Sequence, residues 1–221
     1  MQLPSPRTQK LITHLGALAP LAILVWDYLH NDLTFNPIQE ITFRTGRYAL
    51  TLLILSLAVT PVATLTGQRK LLPLRRLLGL YAFFYAVLHF LTFVGLDYGF
   101  DPVLLREALF EKRYALVGFI AFVLLMSLAA TSSRAMMKRL GKNWKRLHRL
   151  VYAAGLLAII HFVWLVKSDI RRPLLYGAVL VAFLLLRWPP LRRRLTRRRR
   201  TPLSRSPSAA KLPMLKNENC P

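Results

Sequence analysis

The sequence predicts an all-α integral membrane protein, a six-helix transmembrane bundle with both termini cytoplasmic. Three observations predict it. Of 221 residues, 54% are hydrophobic, and the mean hydropathy is +0.37. Charge is confined to short connectors between long uncharged runs, the pattern of a chain that crosses a bilayer repeatedly. The runs are apolar throughout rather than alternating with period two. That excludes barrel strands and leaves helices, which satisfy their own backbone in lipid.

The runs follow in order. Leu11–Trp26 reaches the roughly 20 residues a crossing needs once Tyr28 and Leu29 are included. It lacks a small-residue cleavage site and is followed by Asp27, so it reads as a retained helix. Tyr48–Gln68 is long enough as it stands, and Pro61 within it can kink it. Leu77–Leu96 and Tyr114–Ser133 are also long enough. Leu150–Val166 needs Leu147 and His148. The last run, Pro173–Leu186, is short, and Arg172 and Arg187 must snorkel from its ends. Residues 1–10 then form a short cytoplasmic N-terminus and residues 11–188 the membrane domain. Residues 189–221 form a tail carrying LRRRLTRRRR and a Pro- and Ser-containing stretch, a composition that stays disordered beside the membrane. The one cysteine, Cys220, lies in that tail. No disulfide framework and no C-x-x-C-H attachment site for covalent haem exist.

The formal charge of +23 invites a nucleic-acid reading, and its placement opposes one. With the N-terminus inside, Lys and Arg gather on the cytoplasmic side: Arg69, Lys70, Arg75, Arg76, the cluster Arg134–Arg149, and the tail. The acidic residues Asp27, Asp32, Glu40, Asp97, Asp101, Glu107, Glu111 and Asp169 fall in the outer connectors. Positive charge inside is a topology signal, and juxtamembrane basic clusters meet anionic headgroups. Membrane lipid, not nucleic acid, is the expected partner of this charge.

Two histidines lie deep in apolar runs. His89 in FFYAVLHFLTFVG is about 18 Å in from the cytoplasmic edge of the third run, and His161 is about 16 Å in along the fifth. Both runs point outward, so the imidazoles share a depth somewhat past the middle. Two neutral imidazoles on different helices at one depth are what bis-histidine haem requires. The competing reading, polar glue between helices, is weakened because no carboxylate occupies any span. A zinc site would need further ligands that are absent at that depth. His148, between Arg146 and Arg149, lies about 19 Å inward of His161. It marks an inner site for a second haem or another cofactor, but the third run has no histidine at its level. Arg75 and Arg76 stand there instead. His14 and His30 read as interface residues. Phe83, Phe84, Tyr85 and Phe90 around His89 read as core that could also wall a porphyrin. Small residues in TGRYAL, LLGLYAF and VYAAG read as close helix approach, and Tyr98, Trp164 and Trp188 as interface aromatics.

These motifs carry a resemblance. The stretches are TGR at Thr45–Arg47, Thr60–Pro61, RRLLGLYAF from Arg75 and LHFLTF from Leu88. They continue with TSSRAMMKRLGKNWKRLHRLVY from Thr131, IHFVWLVK from Ile160 and PLLYG from Pro173. In that order they resemble the MsrQ (YedZ) family, within the wider ferric-reductase-like transmembrane group. The resemblance covers nearly the whole chain up to Trp188. It implies a b-type haem subunit of the bacterial inner membrane that passes electrons to a periplasmic molybdopterin-containing MsrP-type reductase, which repairs oxidised methionines. It carries His89 and His161 over as haem-iron ligands and His148 as a further cofactor-binding histidine. It also associates FMN and quinone with the chain.

No G-x-G-x-x-G follows a strand, and no soluble domain could hold NAD or FAD. The electron source is then separate: membrane quinol, or a cytoplasmic flavin reductase on the basic loop Arg134–Arg149. The chain reads as an electron-transfer subunit rather than a catalytic one. Two other functions remain open from sequence. One is a cytochrome b subunit for a different periplasmic oxidoreductase or a metal reductase. The other is a transporter with histidines as glue.

Overall fold

A computed structural model describes residues 4–166 and 169–187. The expected disordered tail, Cys220 and Trp188 lie outside these residues. Among the described residues there are nine α-helices and no strand.

Local chemistry sets the helix ends. α1, Pro6–Leu29, starts on Ser5, whose hydroxyl accepts from the Thr8 amide, with proline in the first turn. α2, Pro37–Thr66, starts on Asn36, whose side chain accepts from the Gln39 amide, and ends on Gly67 at φ 77°. Serine and asparagine oxygens satisfy first-turn amides that have no helical partner, and glycine takes the left-handed stop without penalty. α2 runs through Pro61. It also begins well before the uncharged run, because its charged first turns are paired: Arg44 bonds Asp27 of α1 and reaches Glu40 at 2.6 Å.

α3, Leu74–Leu91, continues as a π-helical turn over Thr92–Asp97. α4, Pro102–Glu111, is a short connector helix capped by Asp101. α5, Arg113–Ala130, is followed by two short helices, α6 at Arg134–Leu140 and α7 at Lys142–Leu147, joined at Gly141. α8, Leu150–Leu165, and α9, Arg171–Arg187, complete the chain.

Five helical stretches, Pro6–Leu29, Pro37–Thr66, Arg69–Asp97, Arg113–Ala130 and Lys142–Leu165, are long and apolar enough to cross a membrane. α9 has 17 residues, about 26 Å of helix against roughly 30 Å of hydrocarbon. It needs its terminal arginines to complete a crossing.

Two helix pairs make the core. α2 packs along α3, and α5 along α8; α3 against α5 and α2 against α8 close a four-helix ring. α3 and α8 therefore face each other across the diagonal. α1 lies on α3, and α9 lies on α2 and α8. The contacts are made by small side chains: Ala82 and Ala154 are 0% exposed, as expected where lipid gives helices no hydrophobic drive to associate. Tyr85, also fully buried, donates to the Ala17 carbonyl at 2.7 Å and locks α3 to α1. Large apolar residues such as Leu18, Ile23, Leu55 and Val181 point outward. One end of the bundle carries Asp27, Glu40 and Asp101, the other Arg75, Arg146 and Arg187. They are called here the acidic and basic ends.

Candidate metal centre

α3 and α8 each bring one imidazole to the middle of the ring near the acidic end. His89 stands two residues before the end of α3, and His161 four before the end of α8. Both are nearer the acidic end than the sequence depth implies, because α3 leaves α-helical geometry at Thr92 and α8 stops at Leu165. Their ring centroids are 6.0 Å apart and their planes cross at 79°.

Each ring is held by the helix paired with its own. His89 Nδ1 is 2.8 Å from the Thr42 carbonyl of α2. His161 Nδ1 is 2.7 Å from the Tyr114 carbonyl of α5. A carbonyl can only accept, so Nδ1 carries the hydrogen in both rings and Nε2 keeps its lone pair. This second bond is how proteins orient a metal-binding histidine. Thr42 is itself tied back: its hydroxyl donates to Ile38 and lies 3.2 Å from the Thr92 hydroxyl, which donates to the His89 carbonyl.

A glycine lies behind each ring. A Cβ at Gly46 would stand 3.0 Å from His89 Nδ1, and one at Gly118 would stand 2.6 Å from His161 Nδ1. Only glycine lets α2 and α5 come close enough for the carbonyl bonds. The sequence reading took Gly46 as one of several small residues and passed over Gly118. The signal was a glycine in the helix preceding each histidine helix, but which helix backs which ring is not written in one sequence.

The fit to an iron porphyrin follows from this geometry. Two imidazoles bound end-on to one metal through bonds of about 2 Å hold their centroids roughly 6 Å apart. The observed spacing has that size, and the two histidines come from diagonal helices with an apolar ring around them. Among the described residues no group of three or more His, Cys, Asp or Glu is placed to hold a metal ion; His89 and His161 come together as a pair. The aromatic residues near His89 belong to the packing. Phe90 stacks on Phe122 at 4.6 Å, Phe83 stacks on the same ring at 6.1 Å from two turns away, and Tyr85 meets Tyr48 edge-on.

His148 is not part of this group. It caps α7 at the basic end, stacks on Trp144 at 4.1 Å, and places Nε2 3.2 Å from the Thr131 hydroxyl. Trp144 donates to the Thr131 carbonyl, which ties α7 to the end of α5. His14 of α1 meets the Tyr81 hydroxyl at 2.7 Å, and His30 stacks on Trp26. At the acidic end, Lys112 donates to the Tyr98 hydroxyl at 2.7 Å two residues before Tyr114. That bond holds the ammonium above the ordinary lysine pKa.

A helical membrane bundle with paired histidines on diagonal helices defines a class, the ferric-reductase-like membrane proteins. The family model described as the ferric reductase like transmembrane component matches residues 45–160, from the TGR stretch to the residue before His161. Curated relatives narrow it. The chain is 47% identical over 207 residues to "Protein-methionine-sulfoxide reductase heme-binding subunit MsrQ" of Xanthomonas axonopodis pv. citri (strain 306), covering 90% of this chain and 94% of that protein. A protein of the same name from Bordetella pertussis (strain Tohama I / ATCC BAA-589 / NCTC 13251) is 47% identical over 181 residues, covering 81% and 87%. The chain belongs to the MsrQ family. No solved structure matches it.

Proposed function

We propose that this chain is the haem-bearing electron-transfer subunit of a methionine sulfoxide reductase system, with His89 and His161 as the two axial ligands of a b-type haem. The observation that carries the reading is the pair itself: two imidazoles 6.0 Å apart between centroids, each with Nδ1 committed to a carbonyl. The names of the relatives in Xanthomonas and Bordetella support the same reading.

The chain crosses the bacterial inner membrane six times, α9 being the last crossing, with both termini cytoplasmic and the acidic end periplasmic. The distribution of Lys and Arg supports that orientation. A bound haem supplies a one-electron carrier whose potential follows from its axial ligands and burial. The protein's own residues do the rest. The Thr42 and Tyr114 carbonyls hold the ligand rings in one tautomer and one rotation. Gly46 and Gly118 admit the rings, and the apolar ring of helices keeps water from them. Electrons enter from quinol or a cytoplasmic flavin reductase at the basic end, with FMN and quinone as further cofactors. They leave at the acidic end to a periplasmic molybdopterin-containing MsrP-type reductase.

The test is reconstitution. The purified chain shows a haem Soret band, and in liposomes with the periplasmic reductase it supports methionine sulfoxide reduction that stops in His89→Ala. A chain with no Soret band excludes a haem subunit. A chain with haem that reduces ferric chelates but never feeds the molybdopterin enzyme is a metal reductase instead.

A further inference from the structure

At the basic end, Arg187 and Arg75 have no ion-pair partner among the described residues. Arg187, at the end of α9, turns its guanidinium inward between α2 and α8. One amino group donates to the Tyr152 hydroxyl and the other to the Leu57 carbonyl at 2.7 Å. The Tyr152 ring lies 5.4 Å from the guanidinium carbon. A guanidinium has five N–H donors, and these bonds use two. Nε is buried and has no partner among the described residues. Arg75 lies at the same level of the bundle: its carbonyl accepts from the Ser56 hydroxyl at 2.7 Å, one residue before Leu57. The ion pairs among the described residues all belong to Arg44 at the far end, and the Arg75 guanidinium makes no hydrogen bond among them.

Among the described residues no carboxylate pairs with either arginine. Of nine acidic residues, eight are at the acidic end or its connectors and the ninth, Glu218, is in the tail. Two half-buried cations at one level repel each other and lose hydration, so the arrangement calls for an anion. Beside Arg187 a groove of about 420 Å³ is lined by Tyr152, Val181, Leu184, Leu185 and Arg187. Val181 and Leu185 are 52% and 48% exposed, so the groove opens on the lipid-facing side of the bundle.

We propose that this groove binds one anionic phospholipid of the leaflet at the basic end. The phosphate takes the remaining amino hydrogens of Arg187, and an acyl chain lies along Val181, Leu184 and Leu185. A free phosphate would satisfy the arginines but leave the apolar wall bare. Basic pockets between membrane helices on the cytoplasmic side commonly hold anionic headgroups. The lipid would fasten α9 to α2 and α8. The proposal does not depend on whether haem binds at His89 and His161.

Native mass spectrometry of the delipidated, detergent-purified chain tests it, with phosphatidylglycerol, phosphatidylcholine or inorganic phosphate added. One phosphatidylglycerol should bind roughly tenfold more tightly than phosphatidylcholine, and inorganic phosphate should not displace it. Val181→Trp fills the groove without touching a guanidinium, so it should lose the lipid while keeping its haem content and thermal midpoint. Arg187→Gln should lose it too. Equal binding of the two lipids, displacement by inorganic phosphate, or full retention in Val181→Trp would overturn the proposal. So would loss of a second haem, rather than of lipid, in Arg187→Gln.

Discussion

At the acidic end, His89 and His161 spend one nitrogen each on a backbone carbonyl of a neighbouring helix and lie with their ring centroids 6.0 Å apart. At the basic end, His148 lies flat on Trp144 with its Nε2 beside a threonine hydroxyl. All three are imidazoles in or beside apolar helices. The difference is what lies behind them. The first two each have a glycine behind the ring and an accept-only oxygen at Nδ1, which leaves Nε2 free to bind metal. His148 has its Nε2 turned to the protein's own hydroxyl and no histidine across from it. What separates the paired histidines from His148 is their backing as well as their depth.

That contrast can be broken at several points, beginning with the largest effect. His89→Ala and His161→Ala should each remove most of the bound haem, read as the haem-to-protein ratio from the Soret absorption. Gly118→Ala comes next. Its new methyl would stand 2.6 Å from His161 Nδ1, and overpacking of this kind costs about 1–3 kcal/mol. Haem content should fall several-fold, with a lower thermal midpoint. Gly46→Ala, with 3.0 Å to His89 Nδ1, should do the same more weakly. If the two glycine variants rank the other way, the backing of the rings is misassigned. His148→Ala should leave the spectrum of the haem at the histidine pair unchanged and slow its reduction by the donor at the basic end. Removing residues after Trp188 should change the haem spectrum least of all.

The pair was legible in the sequence because helical rise is fixed: two histidines about 18 and 16 Å from the basic edges of two parallel runs lie at similar depth. The tight control of the rings was not. It depends on which helix backs each histidine and how that helix is rotated, and a run of apolar residues does not encode either. Thr42 and Tyr114 act through main-chain oxygens, so their side chains gave no sign. Phe90 and Tyr85 looked like a possible porphyrin wall because they follow the helical period near His89. Their partners, Phe122 on α5 and Ala17 on α1, show that they bind helices together. Helix ends shifted where charge was internally satisfied: Asp27, Glu40 and Arg44 neutralise one another, and α2 extends through them. The connector helix α4 starts on Asp101 ahead of Pro102, a capping residue before a first-turn proline; the sequence reading has no such helix, because ten residues are too few to show a period.

The most direct measurement is electron paramagnetic resonance of the oxidised, haem-loaded protein. A ferric haem iron held between imidazole planes crossed at 79° would have two nearly equivalent d orbitals, so the expected result is a strongly anisotropic low-spin signal that disappears in both His89→Ala and His161→Ala. A high-spin signal in the wild type, or a low-spin signal that survives either substitution, would contradict the claim that these two histidines grip one iron.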